Sequence, residues 1–129
     1  MLSGCVPAPS AEASLGGVDL LVYVADEPEE WGRGLQGYDE LGPGEGILFD
    51  YGEAEKRTFA MKDVTFAIDV VYIGEDGNVS AIEPLFPGDA RLATSPGPSA
   101  YVLELPQGWA EEQGVTVGSA FELTDSPSE

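Results

Sequence analysis

Short apolar runs, each bounded by Gly, Pro or polar residues, recur along the chain and predict β-strands. One run, from Val18 to Val24, reads V-D-L-L-V-Y-V. Others of similar character read I-L-F-D-Y, T-F-A-M-K, A-Y-V-L-E-L and A-F-E-L. Short runs that are rich in β-branched and aromatic residues are typical of strands rather than helices. The pattern therefore predicts a chain that is mostly β.

The most specific local signal is a hairpin around Gly77. Two β-rich runs, I-D-V-V-Y-I and V-S-A-I-E-P-L, lie on either side of G-E-D-G-N. Glycine readily adopts the left-handed backbone conformation that tight hairpin turns require, so Gly77 is expected to have a positive φ.

Two short segments have the signals of helices. Asp26 can cap a helix that has Pro28 and several acidic residues in its first turn. The segment P-Q-G-W-A-E-E-Q-G is expected to form one or two turns that end at Gly114. Internal repeats and a βαβ alternation are not visible in the sequence. The predicted fold class is mainly β (α+β): a curled antiparallel sheet, barrel- or sandwich-like, with about seven strands and two short helices.

The two ends of the chain differ in composition from the part between them. Residues 1–17 are rich in Pro, Ala, Ser and Gly and predict a flexible tether, and residues 125–129 predict a disordered tail. Residues 18–124 are predicted to form a single domain. The first residues, M-L-S-G-C, resemble the lipobox of bacterial lipoproteins, so lipidation of Cys5 and an extracytoplasmic location are expected. The alternative is that L-S-G-C occurs by chance in a disordered segment.

Charge and composition disfavour several classes of function. The chain has 24 acidic and five basic residues and a net charge of −19, whereas phosphate binding requires clustered Lys and Arg, so nucleic acid is not an expected partner. The same charge disfavours anionic membranes, and membrane attachment is expected only through a lipid on Cys5. Histidine is absent, which removes histidine-based catalytic triads and the common zinc sites. A cofactor and a metal site are not predicted, and the domain is expected to be monomeric.

Seven short blocks occur in an order that resembles a known family. They read G-L-Q-G-Y, G-I-L-F, T-F-A-M-K-D, I-D-V-V-Y-I, D-G-N-V, S-P and Y-V-L-E-L-P-Q-G-W-A. This order is similar to that of domain-of-unknown-function family 192, over roughly residues 18–123. The resemblance implies a compact, mostly β fold and frequent export, but no particular activity. The chain departs from the family pattern where arginine, methionine, tryptophan and alanine are usual, at Tyr38, Ile47, Ala60 and Gln107.

Three of the five basic residues fall within the seven positions K-R-T-F-A-M-K of an otherwise acidic chain. One interpretation is structural: Lys62 pairs with Asp69 of the next strand and fixes the register of the two strands. The other is functional: Lys62, with Arg33 or Arg91, forms a positive spot that binds a small anion. Arg91 belongs to a long predicted loop before Ser95, and such loops commonly carry binding residues.

Glu104 lies in the run Y-V-L-E-L, where strand alternation places it on the same face as Val102. A carboxylate in this position is expected either at a solvated edge or inside a pocket. With Asp69 it forms a candidate pair of catalytic carboxylates for glycoside hydrolysis, which depends on the distance between the two groups.

The function predicted from these features is that of a non-enzymatic, exported domain, with Cys5 as a possible lipid anchor, that binds a small anionic or polar ligand or a partner in the cell envelope. Two alternatives from other classes are kept. One is a hydrolase of envelope glycans that uses Asp69 and Glu104, and the other is a purely structural module whose acidic surface meets its partners. The residues predicted to bind the ligand are Lys62, Arg33, Arg91, Asp69, Ser95 and Glu104.

Overall fold

The computed structural model of the protein describes residues 10–25, 41–59, 64–89 and 92–124. Within these ranges the backbone forms nine strands and one short helix. The strands are β1 (Ser10–Leu15), β2 (Val18–Ala25), β3 (Glu45–Glu55), β4 (Thr58–Phe59), β5 (Ile68–Gly74), β6 (Val79–Leu85), β7 (Ala93–Thr94), β8 (Ser99–Pro106) and β9 (Phe121–Leu123), and the helix is α1 (Trp109–Glu112). The predicted, mainly β fold class is confirmed.

Seven of the strands form one sheet in the order β6-β5-β8-β3-β2-β1-β9, and β4 pairs with β7 in a separate ribbon. Neighbouring strands of the sheet are antiparallel except β2 and β3, which run parallel with Ala25 opposite Phe49. Parallel neighbours cannot be joined by a hairpin, so the chain crosses over between residues 25 and 45. The sheet is therefore mixed, although most of its pairs are antiparallel as predicted.

The sheet curls into a half-barrel whose two ends meet at one point. Asn78, just before β6, forms an isolated bridge with Ala120, just before β9. Strands from both ends of the order contribute to one apolar cluster, which therefore lies on the concave side of the sheet and is called the inner face. Its larger buried members are Leu15, Leu20, Val22, Val24, Leu48, Val71, Ile73, Val79, Leu103, Leu105, Trp109, Val115 and Phe121.

The opposite side of β3, β5 and β8 carries a second apolar cluster, called the outer face. The β4–β7 ribbon packs against this face, and the ring centroids of Phe59 and Phe49 lie 5.3 Å apart in an edge-to-face arrangement. The buried members of the outer face are Ala25, Leu41, Ile47, Phe49, Phe59, Val64, Ile68, Val70, Tyr72, Leu85, Ala93 and Val102. The sheet is thus covered on both sides, which explains why β5 is apolar nearly throughout.

Several local predictions are confirmed. Gly77 has a φ of 86° in the β5–β6 turn, helix α1 lies in the predicted segment, and β9 is the last strand described. Trp109 is 6% exposed and belongs to the inner-face core. The helix predicted to start at Asp26, and residues 60–62 of the predicted strand T-F-A-M-K, lie outside the described residues.

The prediction of a flexible tether over residues 1–17 is wrong from residue 10 onward. Strand β1 pairs in register with β2 on one side and with β9 on the other. Ala11, Ala13 and Leu15 alternate with polar residues and are buried in the inner face, so this segment orders itself by sheet pairing rather than by bulky side chains. Gly16 and Gly17 have positive φ values of 59° and 83° and form the tight β1–β2 turn. The domain therefore begins before the predicted boundary at residue 18.

Candidate functional site

Glu104 is a carboxyl group placed among apolar side chains. It lies on β8 directly between Ile47 of β3 and Val70 of β5, and cross-strand neighbours share a face, so it belongs to the outer face. It is 4% exposed, and no hydrogen bond from the described residues contributes to the shift of its pKa. Burial raises the pKa of Glu104 to about 8. The group is therefore mostly protonated and uncharged at neutral pH.

Tyr72 supplies a second buried polar group on the outer face. Its ring packs against Phe59 with centroids 6.2 Å apart, and the residue is fully buried. Its hydroxyl has no hydrogen-bond partner in the described part of the structure. Burial raises the pKa of this hydroxyl, and the charges of Glu83 and Glu104 raise it further. Tyr72 therefore presents a neutral O–H group near Glu104.

Arg57 and Tyr51 add two further polar side chains beside Glu104 and Tyr72, on the side of the β4–β7 ribbon. Cζ of Arg57 lies 3.7 Å from the centroid of the Tyr51 ring, a cation–π contact. Nη2 of Arg57 donates to the carbonyl oxygen of Glu53 at 3.0 Å, while its Nε is buried without a partner among the described residues. Burial raises the pKa of Tyr51, the positive charge of Arg57 opposes this rise, and Glu104 adds to it. Arg57 and Glu104 thus act on the same hydroxyl.

These four residues, Glu104, Tyr72, Tyr51 and Arg57, are called the Glu104 cluster. The first three are positioned by alternation along β8, β5 and β3, which places their side chains on one face. The arrangement combines apolar walls with neutral and cationic hydrogen-bond donors. Chemically, such a group suits recognition of oxygen acceptors rather than acid–base catalysis by a carboxylate pair.

Ser95 has a positioning role in this arrangement. The backbone N–H of Arg57 donates to Oγ of Ser95 at 2.8 Å, and the backbone N–H of Ser95 donates to the carbonyl oxygen of Arg57 at 2.8 Å. Ser95 is 2% exposed. It therefore fixes the backbone from which the Arg57 side chain reaches Tyr51. Its proposed contact with a ligand stays a prediction.

Asp69 lies on the other side of the sheet. Its cross-strand neighbours are Leu105 and Pro84, and Leu105 belongs to the inner face. Its Oδ2 accepts a hydrogen bond from the backbone N–H of Gly108 at 3.1 Å, just before α1. Burial raises the pKa of Asp69, the Gly108 bond lowers it, and Glu111 raises it. Asp69 and Glu104 therefore point to opposite faces of the sheet, an arrangement that disfavours the candidate catalytic pair, which stays a prediction.

The other predicted site residues, Lys62, Arg33, Arg91 and the lipidation candidate Cys5, lie outside the described residues. The predicted Lys62–Asp69 pair therefore stays a prediction. Three members of the Glu104 cluster, Tyr51, Tyr72 and Arg57, were not among the predicted site residues. The two tyrosines belong to apolar runs that are typical of core residues. Arg57 was noted only as one of the three basic residues in K-R-T-F-A-M-K. The sequence could have placed the two tyrosines, because strand alternation puts Tyr51 on the same face as Phe49 and Tyr72 on the same face as Val70.

The described ranges contain neither a candidate metal site nor a candidate membrane-spanning helix. Within residues 10–25, 41–59, 64–89 and 92–124, no group of three or more His, Cys, Asp or Glu side chains could hold a metal ion. In the same ranges, helices with the length and hydropathy needed to cross a membrane do not occur.

A family model matches the chain over residues 11–123. It is that of DUF192, described as an uncharacterized ACR. The chain belongs to the DUF192 family. The resemblance of the seven sequence blocks is therefore confirmed. DUF192 membership supports the fold, and the function must be argued from the site.

Two solved structures are similar to this DUF192 chain. A candidate transcription regulator from Sinorhizobium meliloti 1021 has a TM-score of 0.86 and 32% identity, covering 93% of this chain and 98% of that one. A protein of unknown function from Novosphingobium aromaticivorans DSM 12444 has a TM-score of 0.86 and 24% identity, covering 95% of this chain and 91% of that one. The second likeness shows the fold alone. No curated protein is significantly similar to the chain.

Proposed function

We propose that the protein is a non-enzymatic binding domain that holds a small molecule with oxygen acceptors, preferably a carboxylate, at the Glu104 cluster. One observation carries the proposal: the hydroxyl of Tyr72 and Nε of Arg57 are buried without a hydrogen-bond partner among the described residues. They lie beside the carboxyl group of Glu104, which is 4% exposed.

The energetic argument concerns the cost of leaving such groups unpaired. A buried donor or acceptor without a partner costs about 1–3 kcal/mol of stability, and native proteins contain few of them. Two of them beside a buried carboxyl group are expensive for a domain whose net stability is about 5–15 kcal/mol. A ligand that pairs with them offsets this cost, which is a physical reason for the sequence to retain them.

The class of ligand follows from the donors. At neutral pH the protonated carboxyl of Glu104 and the hydroxyl of Tyr72 can each donate one hydrogen bond, and Nε of Arg57 donates another. Only Arg57 carries a charge in this set, and that charge is positive. A small carboxylate therefore fits the donors and the charge, while the apolar outer face suits the rest of a small organic molecule.

Binding is favoured over glycan hydrolysis because Asp69 lies on the inner face and cannot cooperate with Glu104. DNA binding is not favoured either, although one similar structure is that of a candidate transcription regulator. A net charge of −19 opposes the approach of a phosphate backbone.

Export with lipid attachment at Cys5 is a separate part of the proposal and rests on the sequence M-L-S-G-C. Cells expressing the full chain would be labelled with an alkyne fatty acid, and the labelled protein compared with Cys5→Ser. Label on the parent chain alone supports anchoring. Absence of label from both chains, with the protein in the cytosolic fraction, contradicts it.

The binding proposal is tested by thermal unfolding of the full chain with matched pairs of compounds. Acetate, benzoate and D-glucuronate are compared with acetamide, benzamide and D-glucose. A carboxylate at 100 times its Kd is expected to add about 2.7 kcal/mol to the free energy of unfolding, which raises Tm by several degrees. The neutral compounds are expected to have smaller effects.

Tyr72→Phe and Tyr101→Phe provide a matched pair of variants. Tyr101 is half-buried and packs on Phe121 at the inner face, with ring centroids 5.4 Å apart. Tyr72→Phe is expected to be as stable as the parent chain or more stable, because it removes an unpartnered hydroxyl, and to lose the response to the carboxylate. Tyr101→Phe should keep that response. An unchanged response in Tyr72→Phe, or no response of the parent chain to any carboxylate, would overturn the proposal.

A further inference from the structure

A groove opens on the inner side of the half-barrel, away from the Glu104 cluster. It has a volume of about 300 Å³, which is at the lower end for small-molecule sites. Its apolar walls include Ile82 and Pro84 of β6 on one side and Ala110 and Val115 on the other. Its polar lining includes the carboxylates of Asp69 and Glu111.

The groove exists because the half-barrel closes at one end only. Near the closure, Val79 N–H donates to the carbonyl oxygen of Ser119, and Gly118 N–H donates to that of Val79, both at 2.8 Å. Farther along, β6 is the edge strand of the sheet and has no second strand partner among the described residues. Helix α1 and the segment after it face this edge across the gap. The groove therefore lies between the free edge of β6 and the segment that contains α1.

Asp69 contributes a buried carboxylate to this groove. It is 5% exposed, and its Oδ2 is held by the backbone N–H of Gly108. The residue also lines the groove. Asp69 therefore both fixes the turn before α1 and contributes its carboxylate to the groove.

We propose that this groove binds a small alkylammonium group, with the aliphatic stem between β6 and α1 and the cationic head at the carboxylate of Asp69. The inference is independent of the proposed function because it concerns the opposite face of the sheet.

The lining of the groove supports a cationic head with an apolar stem. Basic residues are absent from the described lining, and Glu111 adds a second negative charge at the rim. The charge of Glu111 contributes to raising the pKa of Asp69, so a ligand cation would relieve the repulsion between the two carboxylates. A neutral alcohol of equal length would bury the same apolar area but would not relieve the repulsion between the two carboxylates.

The test is a pair of amide-resolved NMR titrations of the full chain with 1-pentylammonium and with 1-pentanol. The ammonium is expected to shift the amide resonances of Gly108 and Gly114, which line the groove. Pentanol at the same concentration should produce much smaller shifts. N-acetyl-lysine N-methylamide is the third probe, because it presents the same ammonium on a peptide backbone. Tighter binding of this probe would identify a protein lysine as the natural source, and tighter binding of pentylammonium a free amine.

Three variants locate the charge that matters. Asp69→Asn keeps an acceptor for Gly108 and is expected to weaken pentylammonium binding about tenfold, since it removes a charge-assisted hydrogen bond. Glu111→Gln changes an exposed residue and should weaken binding about two- to threefold. Glu112→Gln is the matched control, because Glu112 is its exposed neighbour on α1 and does not line the groove.

Equal shifts with pentanol and pentylammonium would show that the groove recognises apolar stems only, and would overturn the proposal. So would an equal loss of binding in Glu111→Gln and Glu112→Gln, since this would indicate general attraction to an acidic surface. If Asp69→Asn does not fold, the two glutamate variants still decide the question.

Discussion

The two faces of the sheet each bury an acidic side chain, and the comparison between them shows how much a single backbone hydrogen bond changes the consequences of burial. Asp69 on β5 is directly opposite Leu105, while Glu104 on β8 is directly opposite Val70, so the two acids occupy neighbouring registers of one strand pair. Their exposures are nearly equal, at 5% and 4%. Burial raises the pKa of both.

The difference lies in the hydrogen bonds. Oδ2 of Asp69 accepts the N–H of Gly108 and ties the turn before α1 to β5. Glu104 has no such bond from the described residues and lies near Tyr72, whose hydroxyl is also unpartnered. Equal burial therefore has opposite implications: one carboxylate stabilises the fold, and the other costs stability unless something binds to it.

The largest expected effect is the pH dependence that Glu104 gives to stability. The folded-state pKa of about 8 is above the ordinary value of 4.5, so the native state holds a proton that the unfolded state releases. Relative to Glu104→Gln, the parent chain should keep full stability below pH 4.5 and lose up to about 1.4 kcal/mol per pH unit as pH rises toward 8. Urea unfolding at pH 4.5, 6, 7 and 9 measures this difference. If the free energies of unfolding of the parent chain and of Glu104→Gln changed in parallel with pH, Glu104 would not have a raised pKa, and its contrast with Asp69 would be lost.

The next effect concerns Asp69 and its hydrogen bond with Gly108. Asp69→Ala leaves the N–H of Gly108 without an acceptor and should lower the free energy of unfolding by about 1–3 kcal/mol at pH 7. Asp69→Asn retains an oxygen acceptor and is expected to lose less. Chemical denaturation of both variants checks this order. If Asp69→Ala proved as stable as the parent chain, the hydrogen bond to Gly108 would not be the reason for the acid.

A smaller effect is expected where Ser95 holds Arg57. Ser95→Ala removes the acceptor of the Arg57 backbone N–H and should cost about 1 kcal/mol. Thr94→Ala is the control, because Thr94 is exposed and its hydroxyl meets that of Thr58 at 3.3 Å on the surface. It should change the free energy of unfolding by less than about 0.5 kcal/mol. Equal losses in the two variants would mean that Ser95 has no special role in placing Arg57.

Much of the fold could be predicted from local patterns. Alternation in Y-V-L-E-L placed Leu103 and Glu104 on opposite faces, and the G-E-D-G-N signal predicted the positive φ of Gly77. Strand β1 was missed because its buried residues are mostly alanines in a Pro- and Ser-rich segment. Their burial depends on β2 and β9, which lie beside β1 only in the folded sheet.

The candidate site was less predictable, because it depends on register between strands that are distant in sequence. Nothing in the runs around Asp69 and Glu104 states that the latter pairs with Val70, and a shift of one residue would have placed both acids on one face. The unpartnered state of Tyr72 likewise arises from what surrounds its hydroxyl after folding. Sequence alone therefore named Glu104 as a candidate but did not place Asp69 on the opposite face.

The most direct test of the central claim is a carbon-detected NMR titration of the Glu104 side-chain carboxyl in the folded protein, with Glu104→Gln used to assign its resonance. A titration midpoint near 8 is predicted, because the group is buried among apolar residues. A midpoint in the ordinary range near 4.5 would show that the carboxylate is solvated or paired, and would contradict both the burial of Glu104 and the binding function argued from it.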